Sequence, residues 1–150
     1  MTTRDAQAPA DAQFIGRWSP RAFNGEALSH AQVMTLIEAA RWAPSCFNSQ
    51  PWRFVYATKD SEHWPAMLSL LMDMNQAWAQ HAGALIAVVS RKTFQGNDAP
   101  APTHSFDTGA AWMSLALQAQ AMGLASHAMW GIEHNDIPTA LNLPDNMQIE

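Results

Sequence analysis

The stretch from Asp107 to Met122 constrains this chain most. It is built from Ala, Leu, Met and small residues, with no charge after Asp107. A helix of that composition has no side to give to water, so it must be buried in a core or between subunits. Gly123, directly after it, reads as a left-handed C-terminal cap. Gly109, Ala110, Ser114 and Ala121 are small enough to let another backbone come close. The apolar run from Ala110 to Leu124 is broken by Gln118 and Gln120. It falls short of the roughly 18–20 uninterrupted apolar residues of a membrane span, so no membrane partner is expected. The other elements must therefore wrap around this segment.

The remainder of the chain can do so. Its 150 residues fit one domain, with 48% hydrophobic and only 14% charged residues, so a sizeable core is affordable and dominant disorder is excluded. Cys46 is the single cysteine, which rules out an internal disulfide framework and makes a reducing, cytoplasmic setting the expectation. The first residues lack the basic and apolar regions of a secretory signal. Charge is uneven. Residues 1–92 hold all eight Lys and Arg and net +1, whereas residues 93–150 hold no cation and net −6. That distribution argues against a nucleic-acid-binding face. Seven tryptophans suit interfaces and pocket walls as well as core.

Residues 1–13 read as a flexible N-terminal arm, ahead of a domain over residues 14–150. Ser29 to Gln32 has capping-box spacing, and Val33, Leu36, Ile37 and Ala40 follow at helical intervals. A helix is expected from about His30 to Trp42, stopped by Pro44. Trp52 to Ala57 mixes aromatic and β-branched residues and predicts a strand. Residues 61–82 predict one or two helices. Ala84 to Val89 is a continuous apolar run, expected as a strand covered on both faces. Arg91 to His104 reads as a long loop of the kind that forms lids. Leu124 to Gly131 suggests a short strand, Asp136 to Leu141 a brief helix, and Asn146 to Glu150 the opening of a strand that the chain cuts short.

Two segments carry potential chemistry. In the first, Arg17-Trp18-Ser19-Pro20-Arg21, two guanidiniums flank a hydroxyl. That offers several donors to a phosphate or another anion, although a pair of solvated arginines at a turn has the same spacing. The second, Pro44 to Trp52, is crowded with hydroxyls and amides. Asn48 and Gln50 present donor and acceptor together, as a heterocycle requires, but a polar turn satisfying its own backbone looks alike. Cys46 has no His or acid near it in sequence and reads as an inert or pocket-lining thiol rather than a nucleophile. The six histidines show no ligand spacing with one another or with Cys46, so no metal site is expected. Neither a Walker loop nor a GxGxxG motif occurs.

Together these segments resemble the FMN-dependent nitroreductase family. The likeness rests on R-x-S-x-R-x-F from Arg17 to Phe23 and on A-R-W-A-P-S-x-x-N-x-Q-P-W from Ala40 to Trp52. It continues through Phe106-Asp107-Thr108-Gly109 and the A-x-x-x-G-L ending at Leu124, and so spans roughly residues 14–150. The resemblance implies an α+β fold, with a mixed, mainly antiparallel sheet flanked by helices in an intertwined homodimer. It places FMN between subunits, with NADH or NADPH as co-substrate. Hydride would pass through flavin N5 to a nitroaromatic, a quinone or an activated alkene in ping-pong fashion.

The resemblance also implies roles for residues. Arg17 and Ser19 match positions that reach the FMN phosphate and ribityl chain, with Trp18 contributing backbone. Arg21 matches a cation near the N1/O2 edge. Pro44, Ser45, Cys46 and Asn48 match the loop laid on the flavin from the partner subunit. Asn75 matches an amide on the ring system, and Trp130 with Gly131 a backbone segment facing N5 and O4. No catalytic acid or base is implied. Family members usually continue through a further strand and a cationic tail, so the resemblance implies either that the sequence continues past Glu150 or that part of the phosphate clamp is missing. The rival readings are a flavin-binding protein without turnover and a cofactor-less dimerisation module.

Overall fold

A computed structural model describes residues 4–150. The apolar segment is its longest helix, α5, which begins at His104, three residues before the expected start, and runs to Ala121. Gly123 closes it at φ 72°. Its N–H bonds to the Gln120 carbonyl at 3.0 Å, and the Leu124 N–H bonds back to Ala119 at 2.8 Å, so the last carbonyls are satisfied by a Schellman turn.

Around α5 the order is α1 (Ala12–Gly16), α2 (His30–Arg41), a 3-10 turn at Cys46–Asn48, β1 (Trp52–Thr58), α3 (Trp64–Ser69), α4 (Asp73–Ala79), β2 (Ala84–Arg91), then α5, α6 (Ile137–Ala140) and β3 (Met147–Ile149). The capping box at the start of α2 forms in full. The Gln32 N–H bonds to Ser29 Oγ at 3.2 Å, and the Ser29 N–H bonds to Gln32 Oε1 at 2.9 Å. At its far end Arg41 and the Trp42 indole N–H both bond to Glu38. Those bonds, that from Arg41 foremost, hold the Glu38 carboxyl below its ordinary value.

The sheet has the order β1-β2-β3 and is antiparallel throughout. Trp52 pairs with Ser90 and Thr58 with Ala84 along β1–β2, and Val89 pairs with Ile149 on β3. Helices cover both of its faces, as the run from Ala84 to Val89 predicts. Leu85 and Ala87 join Ala57, Met67, Leu70 and Ala79 on one side. Ile86 and Phe54 join Leu36, Ala40, Ala111 and Leu115 on the other. This alternation along β2 is the two-residue period of a strand serving two cores. The architecture is α+β.

Ser90, fully buried on β2, gives its proton to Glu150 and therefore accepts from His104 Nδ1 at 2.7 Å, while Ser105 donates to Glu150 at 2.7 Å. This cluster fastens β2, the first turn of α5 and the end of β3 together.

One expectation is corrected. Leu124 to Gly131 is extended but is not a strand. Among the described residues no backbone hydrogen bond engages the N–H groups from Ala125 to Trp130, and the pairing found nearby is an isolated bridge between Leu71 and Ile132. Strand-forming side chains make no ladder without a neighbouring strand. The long loop after β2 is present as expected and is folded on itself. Arg91 Nη2 lies 2.6 Å from Asp98 Oδ1, the Phe94 N–H bonds to Ala99 at 2.8 Å, and Thr93 bridges Pro100. Residues 61–82 form two helices, within the expected one or two, because the Leu71–Met72 backbone turns aside to meet Ile132 and Gly131. Among the described residues no helix is long and apolar enough to cross a membrane.

Candidate functional site

The cationic segment leaves α1 as exposed chain. Asp11 caps that helix by accepting from the Gln13 N–H at 2.9 Å, and Arg4 reaches back to the Arg17 carbonyl at 2.8 Å. Arg17 Nη1 lies 3.4 Å from Ser19 Oγ, so the two point the same way. Arg21 is exposed and makes no hydrogen bond or ion pair among the described residues. Neither guanidinium meets a carboxylate. Pro20, between them, is buried, and its carbonyl accepts from His127 Nδ1 at 2.8 Å. The His127 ring in turn lies 4.6 Å from that of Trp78.

From His127 the extended chain leads to Trp130 and Gly131, where a second group of candidates meets. Asn75 Nδ2 donates to the Gly131 carbonyl at 3.0 Å, and the Met72 N–H donates to the same oxygen at 3.0 Å. A Cβ on Gly131 would lie 2.5 Å from Asn75 Nδ2, so only glycine allows this approach. Trp130 is 75% exposed and packs on His134 at 4.2 Å. Asn75 thus holds backbone, and its Oδ1 stays free to accept.

The amide-rich loop forms a third group. Ser45 Oγ accepts from the Gln50 N–H at 3.0 Å, and Gln50 Nε2 donates to Asn48 Oδ1 at 3.1 Å. Phe47, Asn48 and Gln50 are all left-handed, with φ between 46° and 54°. Such backbone is costly for non-glycine residues and is found where function requires it. The loop is anchored by Asp107, only 5% exposed, whose Oδ2 accepts from the Cys46 N–H and the Thr103 hydroxyl, each at 3.0 Å. Sequence reading assigned Asp107 no task. The signal was its place as the lone charge in an otherwise uncharged helix.

The three groups do not converge in one copy of the chain. Cationic segment and backbone segment lie together through Pro20 and His127. The cationic segment's entry sits at the far end of α5, where a Cβ on Gly16 would lie 3.1 Å from Gln120 Nε2. The amide loop is tied to the same helix at Asp107. At 1.5 Å per residue the helix keeps these attachment points about 20 Å apart. An apolar cleft of about 580 Å³ between the sheet and helices α3 to α5 involves none of the candidate residues. A second hollow, about 630 Å³, opens beside the amide loop and includes Asn48.

Helices on both faces of a small antiparallel sheet, with exposed donor-rich loops at opposite ends of a buried helix, define an α+β protein whose candidate residues are spread over separate places on the fold. The Nitroreductase family model matches residues 15–74 and 62–149, and the chain belongs to that family. Among solved structures, an oxidoreductase containing FMN is 47% identical, with a TM-score of 0.94, over 100% of this chain and 79% of its own. A putative nitroreductase in complex with FMN from Exiguobacterium sibiricum 255-15 is 24% identical, with a TM-score of 0.78, over 97% of this chain and 87% of its own. A nitroreductase family protein from Streptococcus pneumoniae TIGR4 shares the fold at 21% identity and a TM-score of 0.75, over 93% of this chain and 85% of its own. No curated protein matches the chain.

Proposed function

We propose that this protein is an FMN-dependent oxidoreductase that works as a homodimer in the cytoplasm. It would take reducing equivalents from NADH or NADPH and pass them to a small acceptor: a nitroaromatic, a quinone or an activated alkene. The observation that carries the reading is the pair of uncommitted guanidiniums, Arg17 and Arg21, on either side of Ser19. In a chain with eight cations, two neighbouring ones without a carboxylate partner suit an anionic ligand. The FMN named for the 47%-identical structure is such a ligand.

The residues fit that cofactor. Arg17 and Ser19, with the Trp18 backbone, would hold its phosphate and ribityl chain. Arg21 would place a positive charge where the reduced ring becomes negative, an electrostatic contribution that needs no reorganisation. Trp130 and Gly131 would face the ring with their backbone, and Asn75, already fixing the Gly131 carbonyl, has an acceptor to spare. Pro44, Ser45, Cys46 and Asn48 would close the site from a second copy, since their own copy holds them about 20 Å away along α5. When bound, the flavin would supply hydride transfer in two half-reactions at one face, so the protein needs no side-chain acid or base.

The test is a visible spectrum of the purified protein, with and without NADH under anaerobic conditions. A yellow protein that bleaches supports the reading. One that stays yellow with every reductant is a flavin carrier, and one that is colourless and takes up no added FMN is a dimerisation module. Arg17→Ala is expected to lose FMN on dialysis. Arg21→Ala is expected to slow flavin reduction in stopped flow more than it weakens retention, and an unchanged rate would remove the role given to Arg21.

A further inference from the structure

The peptide unit between Trp130 and Gly131 is held at its carbonyl and free at its N–H. Just beyond it the chain is fixed. The Met72 N–H donates to the Gly131 carbonyl at 3.0 Å and the Glu133 N–H to the Leu70 carbonyl at 2.8 Å, which makes the bridge of Leu71 with Ile132. The Trp130 carbonyl accepts twice, from the Ile132 N–H at 2.9 Å and from His134 Nε2 at 3.1 Å. A carbonyl only accepts, so His134 carries a proton on Nε2. The N–H of the same unit, on Gly131, meets no acceptor among the described residues.

Peptide geometry then fixes a direction. No peptide bond among the described residues is cis, and in a planar trans unit the C=O and N–H point opposite ways. The Gly131 N–H therefore points away from His134. The Ile132 bond closes a three-residue turn and comes from the chain it restrains, so it moves with the unit. His134 is the donor that reaches in from further along, with its ring 4.2 Å from that of Trp130. The pair adds little to the core, since Trp130 is 75% exposed. A backbone donor oriented in advance and left unpaired suits an acceptor atom on a ligand.

We infer that His134 is a positioning residue which, by holding the Trp130 carbonyl, aims the Gly131 N–H at N5 of the bound flavin, an inference that rests on the oxidoreductase reading. His134 acts through the backbone and not by contact with the ring. An N–H facing N5 bonds the lone pair of the oxidised flavin. Hydride transfer puts a hydrogen on that nitrogen, and donor then faces donor. The aim of this one N–H therefore favours the oxidised form over the reduced one, and His134 helps to set the reduction potential.

The unit can be watched by itself. Trp130–Gly131 is the one Trp–Gly pair in the chain, so protein labelled with carbonyl-13C tryptophan and 15N glycine gives a single carbonyl–nitrogen correlation by NMR. Added FMN is expected to shift that signal. His134→Gln places an amide nitrogen as many bonds from the backbone as Nε2, and should leave the FMN-free signal where it is. His134→Phe keeps a ring beside Trp130 but has no donor, and should move it. In fluorescence titrations the Phe variant should bind oxidised FMN about three- to tenfold more weakly, the worth of one hydrogen bond, and the Gln variant within about twofold of the parent. Redox titration of the Phe variant should show a raised midpoint potential, by about 30 mV for a tenfold preference lost in a two-electron couple. Equal behaviour of the Gln and Phe variants overturns the inference. So does weaker FMN binding at an unchanged potential, because a merely structural His134 would weaken both redox forms alike. A parent protein that takes up no FMN overturns the oxidoreductase reading and the inference together, whereas FMN uptake with either of those results overturns the inference alone.

Discussion

Asp107 is where a single side chain does the most positioning. One buried oxygen holds the Cys46 backbone across a sequence separation of 61 residues and also takes the Thr103 hydroxyl. Asp107→Ala strands both donors, and bonds to a charged acceptor are worth about 1.5–3 kcal/mol. Urea unfolding should show a loss of that size, and the variant should lose flavin faster on dialysis than its stability explains, because the loop it anchors is no longer held. Equal flavin retention would mean that the loop keeps its shape without Asp107. Asn75 is comparable at shorter reach. It was expected to touch the cofactor ring, and the structure adds that it fixes the Gly131 carbonyl.

At the scale of elements, the sequence was most legible where a signal is local. The capping box at Ser29 and the glycine after α5 both form as read, since each depends on residues within one turn. Gly123 gives a direct check. Nothing lies within 4 Å of a Cβ placed there, so Gly123→Ala costs only the left-handed backbone. That is about 1 kcal/mol, seen as a fall in Tm of roughly 2–4 °C. What stayed illegible depends on partners elsewhere in the chain. Leu124 to Gly131 has strand-like residues but no neighbour for Ala125 to Trp130 to pair with. The break between α3 and α4 is made by Ile132 and Gly131, some 60 residues later, which no window of sequence contains. The loop after β2 closes through Arg91 and Asp98, which a charge pairing seven residues apart could have suggested. As for the site, its residue types and order were legible in the two motifs. Their separation along α5 was not, because spacing in sequence says nothing about which end of a helix a loop is tied to.

For the whole molecule, that separation is the main consequence of the fold. If each site takes Arg17 and Arg21 from one copy and Asn48 from another, two damaged proteins can repair each other. The double variant Arg17→Ala/Arg21→Ala and the single variant Asn48→Ala should each show little NADH-dependent reduction of menadione. Unfolded together and refolded as an equal mixture, they would give about half mixed dimers, each with one intact site, and so recover about a quarter of the parent activity. No recovery would place both donor sets in the same copy. Exposed Trp42, Phe106 and Met113, at 74%, 81% and 38%, are apolar surface that association would cover.

The 20 Å that α5 puts between its two tethered loops also carries a thermodynamic obligation. A ligand seated across copies stabilises their association, and association in turn raises affinity for the ligand, by the same factor in both directions. Dilution should therefore release the cofactor: flavin would leave as protomers part, read as a rise in free-flavin fluorescence, and adding excess FMN to a dilute sample would drive them together again.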